Sequence, residues 1–239
     1  MDLKNKVAYI TGGSKGIGLG TAKVLLDAGM RVAISGRTLE EIQKAAAGLG
    51  DKSRIIGIQS DVRNFVDEQT AVEQILDAFG QIDVVLANAG LGNFTPVDEM
   101  TLDEWNQMID TNLTGAFHTL KATVNELKKS EGYYITLASL AGTNFFEKGA
   151  GYNASKFGVV GFTQAAMLDL RKHNIKVSTI MPGSVATNFN NHVPNEADSW
   201  KIQPQDIGEL VLDLLKMNPR TLPSKIEVRP TRPGGNPSV

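Results

Sequence analysis

The chain has 239 residues, 41% of them hydrophobic, which is enough for a sizeable core without disulfides or metals. Its 24 basic and 26 acidic residues give a net charge of −2 with no cationic cluster, which excludes a nucleic-acid partner. There is no cysteine, so thiolate chemistry is excluded, and no run approaches the roughly 20 apolar residues of a membrane span; a soluble, cytoplasmic protein is expected.

Short runs rich in Val and Ile recur along the chain: VAYIT (7–11), RVAIS (31–35), RIIGIQS (54–60), IDVVLANA (82–89), YYITLAS (133–139), KVSTIMP (176–182) and KIEVRP (225–230). Several are apolar without alternation, as strands covered on both faces should be. Between them lie stretches of helical period, such as GLGTAKVLLDAG and DEQTAVEQILDAFG. Strand and helix alternating in this way predict a doubly wound, seven-stranded parallel sheet flanked by helices. No linker divides the chain, so residues 1–239 are expected to form a single domain. Within it, 183–203 reads as a substrate loop and 231–239 as a loose tail.

The first strand runs into TGGSKGIG (11–18) and then a helix, with Gly12, Gly16 and Gly18 spaced G-x-x-x-G-x-G. Such glycines suit a tight turn. They also let backbone approach a pyrophosphate, with Ser14, Lys15 and Ile17 supplying the rest of the cradle at a helix N-terminus. The second strand ends Ser35-Gly36-Arg37, where an NAD site would place an acid for the ribose hydroxyl. Arg37 would grip a 2′-phosphate that a carboxylate would repel, and Lys15 adds a cation on the same side. NADP(H) is therefore expected over NAD(H), although both residues also read as ordinary surface cations. Asp61 and the backbone of Val62, after strand 3, suit an adenine edge, and equally a turn or helix cap. Asn88-Ala89-Gly90, after strand 4, lets the backbone come close to a cofactor.

Ligands of such sheets bind beyond the C-terminal strand ends. Strand 5 ends at Ser139. After the loop LAGTNFFEKGAG come Tyr152 and Lys156, four apart and so on one helix face. A tyrosine there would donate a proton to a carbonyl as NADPH delivers hydride. Its free pKa is about 10, and one nearby cation lowers such a value by about 1–3 units. Lys156 and the positive nicotinamide of NADP⁺ are together expected to supply the lowering, with Ser139 holding the substrate oxygen. Phe145 and Phe146 are candidates for the substrate mouth. Phe189, Val193 and Trp200 are the apolar candidates of the loop. His118, His173 and His192 show no metal-ligand spacing, and no metal is expected.

Taken in order, TGGSKGIG, Asp61-Val62, ANAG (87–90), Asn112, Ser139, YNASK (152–156) and Pro182-Gly183 resemble the short-chain dehydrogenase/reductase family, over about Lys6 to Pro230. The resemblance implies a Rossmann-type fold and a catalytic set of Asn112, Ser139, Tyr152 and Lys156. In it Asn112 holds a water leading to Lys156, and Tyr152 and Lys156 also contact the cofactor. It further implies cofactor contacts at Pro182, Gly183, Val185 and Thr187. Ala87 departs from the family's first asparagine, and KIEVRPTRPGG departs from the C-terminus of many 3-oxoacyl carrier-protein reductases. The implied activity is NADPH-dependent reduction of a ketone or 3-oxoacyl group. The rival readings are oxidation of a sugar, steroid or polyol alcohol, and a silent cofactor-binding regulator. A homodimer or homotetramer is expected, built on the helix at 157–172 and the one around 104–129.

Overall fold

A computed structural model describes residues 3–50 and 53–232. In chain order its elements are β1 (Val7–Thr11), α1 (Gly16–Asp27), β2 (Arg31–Gly36), α2 (Leu39–Leu49), β3 (Ile55–Gln59), α3 (Phe65–Phe79) and β4 (Val84–Ala87). The second half continues with α4 (Leu102–Met108), α5 (Gly115–Ser130), β5 (Tyr133–Leu137), α6 (Ala150–Leu170), β6 (Lys176–Pro182), α7 (Pro204–Lys216) and β7 (Lys225–Val228). A six-residue π-helical segment, Ile109–Thr114, joins α4 to α5.

All seven strands are parallel, in the order β3-β2-β1-β4-β5-β6-β7. The non-alternating strand sequences follow from burial on two faces. In β1, Ala8 and Ile10 join one apolar layer with Leu25, Ile34 and Val211. Val7 and Tyr9 join the other, with Ile75, Phe79 and Leu120. Successive side chains point to opposite faces, so a strand covered by helices on both must be apolar at every position. Each fully buried Ile or Leu contributes about 1.5–3 kcal/mol through the area removed from water.

Helix boundaries have local causes. Asn64 caps α3 by accepting from the Val66 amide, and Gly80 ends it in the left-handed region. Thr101 and Glu104 form a reciprocal capping box on α4. α1 and α7 approach through two glycines. A Cβ on Gly20 would stand 2.8 Å from Pro204, and one on Gly208 would stand 2.9 Å from the Thr21 Cα. Beneath the strand ends, Glu68 of α3 is buried and accepts from the Tyr9 hydroxyl (2.9 Å) and the Ser60 hydroxyl (2.6 Å). Burial raises its carboxyl pKa.

Strand order reverses between β1 and β4, so the loops after these two strands diverge and leave a crevice at their C-terminal ends. Every site residue proposed from the sequence follows a strand end or lies on a segment packed there. The segment 183–203 is irregular: it holds two single turns, Phe189–Asn191 and Glu196–Asp198, and a bridge between Val185 and Ile202. Of the expected loose tail, 233–239 lie outside the described residues. No described helix is long and apolar enough to cross a membrane.

Candidate active site

The glycine loop is shaped from two sides. Gly12 and Gly16 have φ of +66° and +56°, a region that side chains disfavour. A Cβ on Gly12 would stand 2.8 Å from the Ala89 Cα, and one on Gly18 would stand 2.5 Å from the Gly12 carbonyl oxygen. The loop is tied to the end of β4. The Thr11 hydroxyl accepts from the Asn88 and Ala89 amides, both at 3.1 Å. The Asn88 side chain donates to the carbonyls of Thr11 (2.8 Å) and Gly12 (3.0 Å). Asn88 therefore shapes the cofactor loop through its backbone, and Thr11, which sequence reasoning passed over, is its counterpart.

Lys15 caps α1 in an extended conformation without a side-chain cap bond, and the first turn carries no acid. The opening amides of α1, at Gly16, Ile17 and Gly18, thus face the crevice at the positive end of the helix dipole. Such a cradle fits a nicotinamide dinucleotide: donors converge where its pyrophosphate would lie, and no carboxylate competes for them. Ser14 lies in the same loop. Thr187 reaches it from the far side, its methyl 3.3 Å from where a Gly16 Cβ would be.

Arg37 and Lys15 are exposed, and the residues directly after β2, Arg37 and Thr38, include no acid; the first acids are Glu40 and Glu41 in the opening turn of α2. Asp61 does not stand free. Its carboxylate accepts from the Arg63 guanidinium at 2.5 and 3.0 Å and from the Arg63 amide at 3.1 Å. That guanidinium holds the Asp61 carboxyl below the usual range, and Arg37 adds to the effect. Arg63 was not picked out in the sequence, where one arginine beside one aspartate carries no signal. Val62 is buried, and its carbonyl accepts from the His118 imidazole at 3.0 Å, so His118 serves packing.

At the reacting end, β5 stops at Leu137 and Ser139 opens a tight turn, Leu140–Gly142. α6 packs against that turn, β6 and the π-helical segment. This brings Ser139, Tyr152, Lys156 and Asn112 together. The Ser139 hydroxyl accepts from the Ala141 amide at 3.1 Å and lies close enough to the Tyr152 phenol to favour its ionised form. Lys156 is buried, donates to the Leu137 carbonyl at 2.9 Å, and lies 5.7 Å from the Tyr152 ring centroid. Asn112, in the π-helical segment, accepts from the Leu91 amide (2.8 Å). It donates to the Leu91 carbonyl (2.9 Å) and the Ser155 hydroxyl (2.9 Å). Widened turns of this kind recur at functional sites. Here the turn lets one residue of a helix read the loop after β4 and α6 at once. Gly90 backs onto the pair: a Cβ there would stand 3.1 Å from Asn112 Oδ1 and 3.5 Å from Lys156 Nζ.

Within the chain alone the Tyr152 pKa is not lowered. Burial pushes the Tyr152 phenol up to about 12, opposed by the nearby Ser139 hydroxyl. Burial also draws the Lys156 ammonium down to about 8. The ammonium is engaged by the Leu137 carbonyl rather than by the phenol oxygen, so within the chain itself the surroundings of Tyr152 keep it protonated.

Three phenylalanines surround Tyr152. Ring centroids lie 5.6 Å away for Phe94, edge-on at 89°, 5.6 Å for Phe189 and 6.5 Å for Phe146. Phe146 and Phe189 were candidates from the sequence. Phe94 was not, because its loop has no periodicity. Phe145 turns away and stacks on Phe157, and Trp200 lies beside Lys201. Neither has a ring contact with Tyr152 among the described residues.

Residues 6–198 match the family model described as short chain dehydrogenase. The chain belongs to the short-chain dehydrogenase/reductase family. An uncharacterised oxidoreductase of Staphylococcus aureus (strain N315) is 34% identical over 231 residues, covering 95% of this chain and 98% of the relative. One from Staphylococcus saprophyticus is 31% identical over 233 residues, with 96% and 99% covered. Among solved structures, an alcohol dehydrogenase from the archaeon Thermococcus sibiricus, complexed with 5-hydroxy-NADP, superposes with a TM-score of 0.90. It is 29% identical, with 96% of this chain and 99% of that chain covered. A 3-ketoacyl-(acyl-carrier-protein) reductase from Brucella melitensis, complexed with NADH, gives 0.88 at 25% identity, with the same coverage. As a short-chain dehydrogenase/reductase, the chain is an oxidoreductase with a Rossmann-type sheet. Pro182 ends β6 buried, and the Gly183 amide donates to the Val228 carbonyl at 2.8 Å, so β7 fixes where the 183–203 segment leaves the sheet.

Proposed function

We propose that this short-chain dehydrogenase/reductase uses NADPH to reduce a ketone or 3-oxoacyl carbonyl to a secondary alcohol. The observation that carries the reading is the convergence of Ser139, Tyr152 and Lys156 beyond β5, with the Ser139 hydroxyl beside the Tyr152 phenol and the Lys156 ammonium 5.7 Å from its ring centroid. Bound NADPH would supply a hydride to the carbonyl carbon. The remaining tasks fall to side chains. Ser139 donates to the carbonyl oxygen and fixes its position. Tyr152 gives its phenolic proton to that oxygen as negative charge develops there. Lys156 holds the ribose side of the site and supplies positive charge near the phenolate left behind. Asn112 anchors the Leu91 backbone and Ser155, keeping the wall behind Lys156 in place.

The role of Tyr152 as proton donor has a physical basis. An alkoxide has a proton affinity close to that of hydroxide, with a pKa near 15.7 for water. Transfer from a phenol held up to about 12 is then downhill by roughly 5 kcal/mol. Arg37 and Lys15 support NADP(H), because no carboxylate directly follows β2 to oppose a 2′-phosphate. Exposed Trp105 on α4, Phe117 on α5, and Phe157 and Leu168 on α6 support the expected homo-oligomer.

Tyr152→Phe tests the mechanism. Turnover measured by NADPH absorbance is expected to fall by about 10²–10⁴-fold, the range for a lost proton donor, with NADPH affinity retained. An unchanged rate would sink the assignment.

A further inference from the structure

The substrate side of the pocket is more specific than the reductase reading requires. Phe94 comes from the loop after β4, Phe146 from the loop after β5, and Phe189 from the segment after β6. All three converge on one phenol. They also contact one another: Phe94 meets Phe146 edge-on at 5.4 Å and Phe189 at 6.3 Å. Two glycines seat the rings. A Cβ on Gly92 would stand 2.6 Å from Phe189 Cζ, and one on Gly149 would stand 2.8 Å from Phe146 Cε2. Any side chain at either position would push a ring off Tyr152.

The rings are not core. Phe94 is 37% exposed and Phe146 is 44% exposed, and both touch a phenol that is itself only half-buried. Large apolar surface left open around a reactive group marks a binding surface rather than packing. Phe146 also borders a cleft of about 530 Å³ whose charged residues are Asp98, Glu147 and Lys148, an acidic balance. That cleft joins the cage through Phe146 and, with one more acid than base, gives a phosphate-bearing carrier no net cationic hold. A sugar would place hydroxyls against phenylalanine rings, each losing water without a replacement partner. An aromatic ring beside the carbonyl meets three rings that favour offset or edge-to-face contact.

We propose that the substrate is an apolar ketone with an aryl group beside the carbonyl and no phosphate carrier, selected by the cage of Phe94, Phe146 and Phe189. This rests on the reductase reading.

The test compares NADPH-dependent reduction of acetophenone, acetoacetyl-coenzyme A and dihydroxyacetone by the full chain and by Phe94→Ala and Phe146→Ala. Acetophenone is expected to be favoured at least about tenfold in kcat/KM. Each variant is expected to lose about 10- to 100-fold on acetophenone and less than about threefold on dihydroxyacetone, in line with the loss of an aromatic contact. Phe94→Leu, which keeps apolar volume, should fold normally and retain part of the preference. Calorimetry of acetophenone binding to the NADP⁺-loaded protein, where no turnover occurs, should show Kd rising by a similar factor in the alanine variants. Preference for acetoacetyl-coenzyme A, or equal losses on both ketones, overturns the cage while leaving the reductase reading intact. Absence of turnover on every carbonyl overturns the reductase reading. Calorimetry then decides the cage alone: ring-dependent acetophenone binding upholds it, and no binding overturns it.

Discussion

Replacing Lys156 by Met should make the protein more stable near neutral pH, by an amount that shrinks as pH rises. Lys156 is 4% exposed, and burial lowers its ammonium pKa from the ordinary 10.5 to about 8. Below pH 8 both folded and unfolded states hold the proton, and the folded state bears the full cost, roughly 3 kcal/mol for a difference of about 2.5 pH units. Between pH 8 and 10.5 the unfolded chain binds more protons than the folded one, so stability rises with pH. The two-pKa expression recovers about 2 kcal/mol between about pH 7 and about pH 9.5. Methionine removes this dependence. It also removes the bond to the Leu137 carbonyl, a pH-independent loss of about 1 kcal/mol. Urea unfolding of both proteins across that range gives the difference directly. Tyr9, Tyr134 and Tyr152 have raised phenol pKa values, titrate above the window, and are common to both. The variant should lead by about 2 kcal/mol at neutral pH and lose that lead by about pH 9.5. A difference that stays flat would show that the ammonium is solvated, and would refute both its burial and its cost.

Arg37→Glu should weaken NADPH binding by about 10- to 100-fold and leave NADH nearly unaffected, since only the 2′-phosphate meets the new carboxylate. Fluorescence titration with each cofactor checks it, and equal losses would show that Arg37 does not face the phosphate. Gly18→Ala should reduce affinity for both cofactors and cost about 1–3 kcal/mol, because the new Cβ would stand 2.5 Å from the Gly12 carbonyl oxygen and 2.7 Å from Asn88 Nδ2. Wild-type melting and binding would place the loop elsewhere.

The sheet was legible where local sequence and tertiary role agree. VAYIT and KVSTIMP became β1 and β6 with the expected bounds, because apolar character at every position has only one use in a doubly covered sheet. IDVVLANA was read too long at both ends for polar reasons. Asp83 accepts from the Val7 amide and Lys6, and Asn88 turns into the glycine loop. Ser139, Tyr152 and Lys156 were legible because one strand end and one helix face fix them. Asn112 was placed in an ordinary helix, since a π-helical turn inside a helical run leaves no mark on periodicity. Within the chain alone Lys156 does not lower the Tyr152 pKa, because burial, a property of the assembled loops, outweighs a cation bonded to the Leu137 carbonyl; the nicotinamide charge expected to act with it belongs to bound NADP⁺. Phe94 was invisible because its contact with Tyr152 joins residues 58 positions apart. The pairing of His192 with Asp198, which also binds Lys201, is local in sequence but belongs to no motif and so gave no signal.

The glycine contact between α1 and α7 has a mechanical consequence. α7 starts at Pro204, directly after the 183–203 segment, and Pro204 is the residue pressed against Gly20 of the helix whose opening turn forms the phosphate cradle. The downstream anchor of the segment and the cradle are therefore one rigid piece. The bridge between Val185 and Ile202 ties the upstream end to the same piece, so any opening over Tyr152 is confined to the stretch between Ala186 and Ile202, whose backbone includes a left-handed residue at Asn190. That stretch would flex as a loop pinned at both ends beside the cofactor helix, and Phe189 sits close to its upstream pin. Small rotations there would carry its ring on and off the phenol while the cradle stays still.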